Sequence, residues 1–400
     1  MLEVEDALVQ IYRAMSQQTK TEEVAILDSL GRFCAEDLWA QIPVPNFARA
    51  GMDGYAVRAA ETQGASPETP VLLPVTATVY AGTAPVTERA VSGGAVKIMT
   101  GAPIPVGFDA VIKQEWTDFG TNEVQLYHSV VKGDNYGAIG EDVSSRQKLI
   151  NQHQRINSRI IGVLASQGIE SIRVFVPMKV GVLTTGSELI VLKDPLSEGK
   201  IYNSNLYTIT AFLQGSGSEV ILKKHCVDQV DQLVQAIETD IEGLDLLITT
   251  GGVSVGAKDY IPEAIQQLNA QVLFRYVNMK PGTPIMASAY QGCIILSVSG
   301  NPFAAMINLH MFYWPILAYF MNCPELSLRK RYVRLADDLP FTKLRRFIRA
   351  YETDNVVSLA CESHRASVFQ NTVNTNCFID QPSGTALKKG ELVPIYYWKF

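Results

Sequence analysis

The fold is decided by residues 244–260, which read LDLLITTGGVSVGAKDY. An apolar run ends at the paired glycines Gly251 and Gly252, and the helical pattern KDYIPEAIQQL begins within the same stretch. This order predicts a buried strand, a tight turn and a helix. It recurs in VGVLTTGSEL (180–189) and in SVSGNPFAAMI (297–307), so the chain contains three such units.

Buried strands that alternate with helices predict a parallel, doubly wound α/β domain, which we place at residues 174–325. Ligands of such sheets bind beyond the carboxyl ends of the strands, where the three turns would meet. Glycines let backbone N–H groups approach an anion, and a following helix N-terminus favours negative charge. Two interpretations of residues 244–260 stay open: a phosphate-type site, or a tight turn with Asp259 as the helix N-cap.

Three more domains are expected around this sheet. Residues 43–139 carry short β-rich runs between recurring Pro and Gly, which predicts a β-rich domain with functional loops. Residues 1–42 together with 140–173 form a discontinuous helical and linker domain, and residues 326–400 form a small C-terminal β-barrel domain. The predicted architecture is therefore multidomain, α/β plus β.

Helical periodicity locates the elements of the linker domain. Val4, Leu8, Ile11 and Met15 recur at helical spacing, which predicts an amphipathic helix over residues 3–18. A second helical pattern lies around residues 21–31, and a third over residues 145–168.

Composition excludes several classes of protein. The 400 residues are 47% apolar, which excludes a disordered chain, and the net charge of −6 disfavours a general nucleic-acid surface. The six cysteines are scattered without a CxxC pair, which argues against a disulfide framework or a zinc site and favours reduced thiols in the cytoplasm. The start, MLEVEDALVQ, does not resemble a signal peptide.

No Asp, Glu, Lys or Arg occurs between Lys280 and Glu325. The part from Pro302 to Cys323 is long enough for a membrane span. Such a span would put Asn308, His310 and Asn322 into hydrocarbon, which is costly. We therefore favour a buried helix of the α/β domain and expect no membrane partner.

Several single residues are candidates for binding or catalysis, and each of them also has a simpler structural interpretation. Lys280, in MKPGTP, would bind an oxyanion, or it is only a solvated loop lysine. Glu188 and Asp259 would hold a divalent cation beside a phosphate, or Glu188 only favours a helix dipole. Asp53, Thr100 and Asp142 lie on Gly- and Pro-rich loops, where turn formation alone is an alternative role.

Taken together, these segments resemble the MoeA family of molybdopterin molybdenumtransferases. The matching strings follow one another in the order MDGYA (52–56), AGTAP (81–85), KIMTGAP (97–103), GFDAVIKQE (107–115), TGSEL (185–189), IYNSN (201–205), TTGGVSVGAKDY (249–260), MKPGTP (279–284) and SGNP (299–302). The resemblance extends from near the N-terminus to about residue 320 and is weaker beyond it.

The resemblance implies an enzyme that inserts molybdenum from molybdate into adenylylated molybdopterin, releasing AMP with the help of Mg²⁺. It also implies a cytoplasmic homodimer with a molybdopterin adenylyltransferase upstream and molybdoenzymes downstream. The implied catalytic residues are Asp53, Thr100, Asp142, Glu188, Asp228, Asp259 and Lys280, of which Glu188, Asp228 and Asp259 would hold the metal.

The resemblance further implies a binding surface for the pterin substrate in the α/β domain. Its implied members are Gly186, Ser187, Asn205, Thr250, Gly251, Gly252, Ser254, Gly256, Pro281, Gly300, Asn301 and Pro302. Arg349 and Ser367 of the C-terminal domain are implied as oxyanion contacts.

Three positions depart from the family pattern. Thr283 stands where the second loop lysine is expected, Ser299 replaces a proline, and Tyr276 lies near an expected basic position. Two alternatives to the enzyme therefore stay in view: a non-catalytic cofactor-binding or scaffolding paralogue, and an adenylyltransferase acting on molybdopterin. The second is disfavoured because that enzyme is typically one short domain.

Overall fold

The computed structural model describes residues 1–84, 94–253, 260–359 and 365–399. The first part of the chain holds two helices and eleven strands, with 3₁₀ turns at Leu27–Ser29, Ala59–Thr62 and Gln114–Trp116. Their order is α1 (Val4–Ala14), β1 (Thr21–Ala25), β2 (Leu38–Trp39), β3 (Arg49–Ala50), β4 (Gly54–Val57), β5 (Val71–Val79), β6 (Ala95–Ile98), β7 (Ala110–Lys113), β8 (Glu123–Leu126), β9 (Tyr136–Gly137), β10 (Lys148–Ile150), α2 (Ser158–Ser166) and β11 (Ser171–Phe175).

The linker region is more extended than its periodicity predicts. The helix predicted around residues 21–31 is wrong: this segment contains β1, which pairs antiparallel with β11. The helix predicted over 145–168 begins only at Ser158, because β10 pairs with β2 before it. In both places pairing with a distant strand outweighs the local helical pattern. The amphipathic helix expected near the N-terminus is confirmed as α1.

The β-rich region forms a five-stranded sheet in the order β7-β4-β6-β5-β8. Strands β5 and β6 run parallel and the other neighbours antiparallel. Gly54 of β4 pairs with Ile98 of β6. The loop before β4 and the loop after β6 therefore lie side by side at one edge of this sheet.

The α/β domain contains the alternating strands and helices of the central part of the chain. Its elements are β12 (Lys179–Thr185), β13 (Leu189–Ile190), β14 (Ile201–Tyr202), α3 (Ser204–Ser216), β15 (Glu219–Cys226), α4 (Val230–Asp240), β16 (Leu246–Thr250), α5 (Ile261–Gln267), β17 (Gln271–Arg275), β18 (Met286–Tyr290), β19 (Cys293–Val298), α6 (Pro302–Asn308), a π-helical turn (Leu309–Tyr313) and α7 (Trp314–Phe320).

The central sheet has the order β15-β12-β16-β19-β18-β17. The first four strands are parallel, as predicted, and β18 and β17 extend the sheet antiparallel. Residues of β16 alternate between two cores: Leu246 and Ile248 pack on the side of α1, α3 and α6, and Leu247 on the side of α4 and α5. Burial on both faces explains why the inner strands β16 and β19 are mostly apolar.

The uncharged stretch contains the one helix of the described chain that is long and apolar enough to cross a membrane, Pro302–Phe320. In the structure 89% of its 18-residue window is buried inside the protein. Pro315 has no N–H to donate, and the π-helical turn lies directly before its helical turn. The predicted buried helix is confirmed.

The C-terminal region closes into a barrel in the order β20-β23-β22-β24-β26. All neighbours described are antiparallel except β20 and β23, and β21 pairs with β25 beside the barrel. The strands are β20 (Arg331–Leu335), β21 (Leu339–Thr342), β22 (Arg346–Thr353), β23 (Val356–Leu359), β24 (Cys377–Gln381), β25 (Thr385–Leu387) and β26 (Leu392–Tyr397).

Candidate functional site

The three glycine-containing turns converge on one cleft at the carboxyl ends of β12, β16 and β19. The cleft has a volume of about 520 Å³. It is lined by Thr185, Gly186, Glu188, Leu189, Ile201, Tyr202, Asn203, Ser204, Asn205, Asp228, Thr250, Gly251, Gly252, Val253, Pro284, Ser299, Gly300, Asn301, Pro302 and Ser367.

The turn after β12 is organised around the carboxylate of Asp228, which follows β15. The Ser187 N–H donates to Asp228 Oδ2 at 2.8 Å, and the Thr185 hydroxyl donates to Oδ1. The Glu188 carboxylate folds back over the turn, so that a Cβ at Gly186 would lie 2.9 Å from Glu188 Oε1. A side chain at position 186 would push the Glu188 carboxylate out of this position.

The turn after β16 requires glycine at its first position. Gly251 has φ +95°, and a Cβ there would lie 2.2 Å from the carbonyl oxygen of Thr185 on the neighbouring strand. The preceding Thr250 hydroxyl donates to the Ser299 carbonyl at 3.0 Å. The β12, β16 and β19 turns are therefore packed backbone to backbone.

The turn after β19 is held by two asparagines. The Asn205 amide, from α3, donates to the Gly300 carbonyl at 2.7 Å and to the Thr250 hydroxyl at 3.3 Å. The fully buried Asn308, from α6, donates to the Gly282 carbonyl at 3.1 Å and accepts from the Ser299 N–H at 3.2 Å. Asn308 thus joins the SGNP turn to the PGTP turn.

Among the described residues of the lining, Glu188 and Asp228 are acidic and none is a lysine or an arginine. An anionic ligand would meet these two carboxylates, and a bound cation would offset their charge. Two carboxylates with hard oxygen donors fit Mg²⁺, which commonly takes one or two carboxylates plus substrate phosphates. Within the described part of the chain no group of three potential metal ligands occurs, and the third predicted ligand, Asp259, lies outside it.

Asp53 and Thr100 meet in the β-rich sheet, away from the lining of the cleft. Asp53 Oδ1 accepts from the Thr100 N–H and from its hydroxyl, both at 2.7 Å. These two hydrogen bonds, the backbone one first, hold the pKa of the Asp53 carboxyl below its ordinary value. Asp142 is exposed and contacts Val44 through its backbone N–H. Neither aspartate lines the cleft within the same chain.

The Lys280 loop, which we define as residues 279–284, reaches the cleft at Pro284. Lys280 itself is exposed, and neither it nor Pro281 is part of the lining. The Thr283 hydroxyl donates to the Met279 carbonyl, so this residue closes the loop on itself.

The barrel supplies Ser367 to the cleft. Arg349, by contrast, is fully buried: its guanidinium lies 3.8 Å from the ring centroid of Phe303 and donates to the carbonyls of Arg365 and Val368. Its guanidinium is turned to the loop that carries Ser367, and Arg349 is not among the described lining residues, so the implied oxyanion contact at Arg349 stays a prediction.

The structure brings eleven of the implied residues together in the cleft: Gly186, Glu188, Asn205, Asp228, Thr250, Gly251, Gly252, Gly300, Asn301, Pro302 and Ser367. Ser187 acts on the cleft through Asp228. Ser254, Gly256 and Asp259 lie outside the described residues.

Sequence reasoning missed Asn308 and Pro284 as parts of this site. The available signal for Asn308 was an amide inside an apolar helix, since buried polar side chains are retained where they have partners. Pro284 lies inside the MKPGTP string, but nothing in the sequence indicates that Pro284, rather than Pro281, lines the cleft.

Comparison with known proteins agrees with this geometry. Residues 2–168 match the family described as MoeA N-terminal region (domain I and II), and residues 181–319 match that described as probable molybdopterin binding domain. The chain is 34% identical to a molybdopterin molybdenumtransferase of Bacillus subtilis (strain 168), over 92% of this chain and 87% of that protein. A Staphylococcus aureus (strain MSSA476) protein of the same name is 33% identical, over 96% and 93%.

Among solved structures, the molybdopterin biosynthesis moeA protein of Pyrococcus horikoshii OT3 is similar over 100% of both chains, with a TM-score of 0.83 and 26% identity. A sequence relationship that covers nearly the whole chain, and a fold match of equal extent, lead to one conclusion. The chain belongs to the MoeA family of molybdopterin molybdenumtransferases.

Proposed function

We propose that this protein transfers molybdenum from molybdate to the dithiolene of adenylylated molybdopterin, with release of AMP. The observation that carries the proposal is the convergence of three strand-end turns on one polar cleft, in a chain related to molybdopterin molybdenumtransferases over 92% of its length. A site beyond the carboxyl ends of parallel strands is where α/β sheets bind nucleotide-like ligands.

The pterin substrate is an anion, and the cleft offers neutral donors for it. Gly251 and Gly252 have positive φ, which turns backbone N–H groups toward a bound oxyanion. The helix that begins at Pro302 directs the positive end of its dipole toward the same cleft. These groups would bind the phosphate and the anhydride of the substrate without adding a positive side chain.

Glu188 and Asp228 would hold Mg²⁺ beside that phosphate, with Asp259 as a further candidate. When bound, Mg²⁺ offsets the negative charge that develops as AMP leaves. The chain's own contribution is to orient the carboxylates: Ser187 and Thr185 hydrogen-bond both oxygens of Asp228, so its plane is set before any ligand enters.

Lys280 would attract the molybdate dianion from its exposed position next to the cleft. The lysine that the family resemblance leads one to expect at position 283 is a threonine whose hydroxyl is used within the loop. The Lys280 loop therefore offers molybdate one positive charge, where the family resemblance leads one to expect two. We expect weaker molybdate binding than a two-lysine loop would give, while the pterin cleft is unaffected.

A homodimer would complete the site. Asp53 and Thr100 form a preorganised pair, with Thr100 exposed and Asp53 half-buried, and neither lines the cleft of its own chain. We propose that this pair caps the cleft of a second subunit, which would explain why family functional residues lie on both domains.

The direct test mixes the purified protein with adenylylated molybdopterin, molybdate and Mg²⁺ and follows AMP. We expect AMP release that depends on molybdate and is lost in Asp228→Asn, with Asp231→Asn on α4 as the control. Tight binding of the pterin without AMP release would instead support a cofactor-binding paralogue, which the missing lysine at Thr283 makes the second candidate.

A further inference from the structure

The main chain of Lys280 is joined to the barrel by two hydrogen bonds. The Lys280 N–H donates to the Arg345 carbonyl at 2.8 Å, and the Phe347 N–H donates to the Lys280 carbonyl at 2.7 Å. Lys280 and Arg346 thus form a parallel β-bridge. The position of the Lys280 backbone therefore follows that of residues 345–347.

The side chain of Arg345 fixes this strand end in turn. Its Nε and Nη2 donate to the two oxygens of Asp380 at 2.7 and 2.8 Å, a bidentate pair with both side chains almost fully buried. Its Nη1 donates to Glu5 of α1 at 2.9 and 3.0 Å. All three nitrogens of the guanidinium are thereby used, in the planar geometry that lysine does not reproduce.

A second contact from the N-terminal segment reaches Asn278, directly before the Lys280 loop. The Asn278 amide donates to the Glu3 carboxylate at 2.6 Å, and Asn278 Oδ1 lies 3.4 Å from the Arg345 N–H. The N-terminal helix, the segment around Lys280 and the barrel therefore meet at Arg345, which is not among the described lining residues of the cleft.

We propose that Arg345 is a positioning residue for Lys280, and that its ion pairs with Asp380 and Glu5 set the affinity of the protein for molybdate. The inference rests on the proposed function of Lys280 and deepens it. Displacement of a ligand-binding group by about 1 Å is enough to weaken a site markedly. Loss of the planar ion pair at Arg345 should therefore shift the exposed Lys280 ammonium and weaken molybdate binding.

The test compares Arg345→Lys with the wild-type protein. We expect the KM for molybdate to rise about five- to tenfold, while the KM for adenylylated molybdopterin and the kcat stay within about twofold. Glu5→Gln, which removes only the exposed half of the pairing, should raise the molybdate KM by about twofold. Lys388→Gln breaks an ion pair with Asp338 on the same barrel, at 2.9 Å, and should leave both constants unchanged.

Molybdate binding measured by calorimetry separates this proposal from the proposed activity. Wild-type protein that binds molybdate but releases no AMP contradicts the activity alone. A molybdate affinity of Arg345→Lys and Glu5→Gln equal to that of the wild type overturns the positioning role, as does a wild-type protein that binds no molybdate. If Arg345→Lys does not fold, as judged by circular dichroism, Glu5→Gln decides the outcome.

Discussion

Asn308 is a fully buried amide on a helix whose neighbours are apolar, and both ends of its side chain are hydrogen-bonded. Its oxygen accepts from the N–H of Ser299, the position where the family resemblance leads one to expect proline. A proline has no N–H to donate. The departure at Ser299 therefore replaces a rigid ring by a hydrogen bond, and the turn stays anchored to the helix.

Removing this amide leaves buried backbone groups without partners. We expect Asn308→Ala to lower the free energy of unfolding by about 2–6 kcal/mol, because an unsatisfied buried polar group costs about 1–3 kcal/mol and two are created. Urea denaturation monitored by tryptophan fluorescence measures the change. Asn122→Ala, at an exposed position, is the matched control and should change stability by less than about 0.5 kcal/mol. Equal effects of the two variants would contradict the bridging role.

A second prediction concerns the pKa of the Asp53 carboxyl. Its pKa is held below the ordinary value of 3.8 by the Thr100 N–H and, second, by the Thr100 hydroxyl. Thr100→Val removes only the hydroxyl, so the pKa of Asp53 should rise toward 3.8 without reaching it. Because the folded pKa is lowered, the stabilisation is present above pH 3.8 and is lost as the pH falls through the folded pKa.

Carboxyl ¹³C chemical shifts followed against pH measure this directly. Thr100→Ser keeps the hydroxyl and should keep the low pKa of Asp53. An unchanged pKa in Thr100→Val would show that the backbone N–H alone is responsible.

At the scale of the element, the site is made by the ends of parallel strands. Thr249 and Ser297 on the adjacent strands β16 and β19 are joined by a buried hydrogen bond of 2.8 Å, one residue before the turns begin. The turns can approach so closely only because Gly251 carries no side chain against the Thr185 carbonyl. Strand spacing, rather than any single side chain, thus shapes the floor of the cleft.

Gly251→Ala tests this point. Its Cβ would lie 2.2 Å from a backbone atom, so β12 and β16 must separate, and we expect affinity for adenylylated molybdopterin to fall by more than tenfold. Gly243→Ala is the control, since Gly243 has φ +79° but no heavy atom within 4 Å of the added Cβ. It should lose only about 1 kcal/mol of stability and bind normally. Calorimetric titration distinguishes the two, and equal affinities would contradict the close approach.

At the scale of the whole molecule, the barrel and the α/β domain build the site jointly. Arg349 of the barrel packs on Phe303 of the α/β domain, and the Phe303 N–H donates to the Ala366 carbonyl at 3.2 Å, which brings Ser367 to the cleft. No described residue of the β-rich domain lines the cleft of its own chain, and this observation motivates the proposed dimer.

Mixed dimers test that proposal. If Asp53 acts on the partner's cleft, Asp53→Asn and Asp228→Asn should each be inactive alone but should restore activity when co-expressed. About half of the dimers would then be mixed, each with one of two sites intact, which gives about a quarter of the wild-type rate. AMP release by the co-purified mixture measures it. No recovery, with dimers confirmed by light scattering, would mean that Asp53 and Asp228 of one chain serve the same site or that Asp53 has no role.

The local sequence pattern predicts most strands, turns and helices of the α/β domain. The strands around Leu246–Thr250 and Cys293–Val298, their glycine turns and the buried helix from Pro302 follow from apolar runs and breaker residues, which report burial directly. The predicted domain boundaries and the catalytic roles stay predictions, since neither follows from the arrangement of elements alone.

By itself the sequence determined the family, the alternation of strands and helices, and the turns that form the cleft, because each depends on residues close together in the chain. Only the tertiary structure decided that Thr21–Ala25 is a strand, that Asn308 joins two turns and that Arg345 anchors Lys280. These features depend on partners distant in the sequence, such as Phe175 for Thr21 and Asp380 for Arg345. The periodicity of the sequence does not predict such pairings, since they arise only when separate elements pack together.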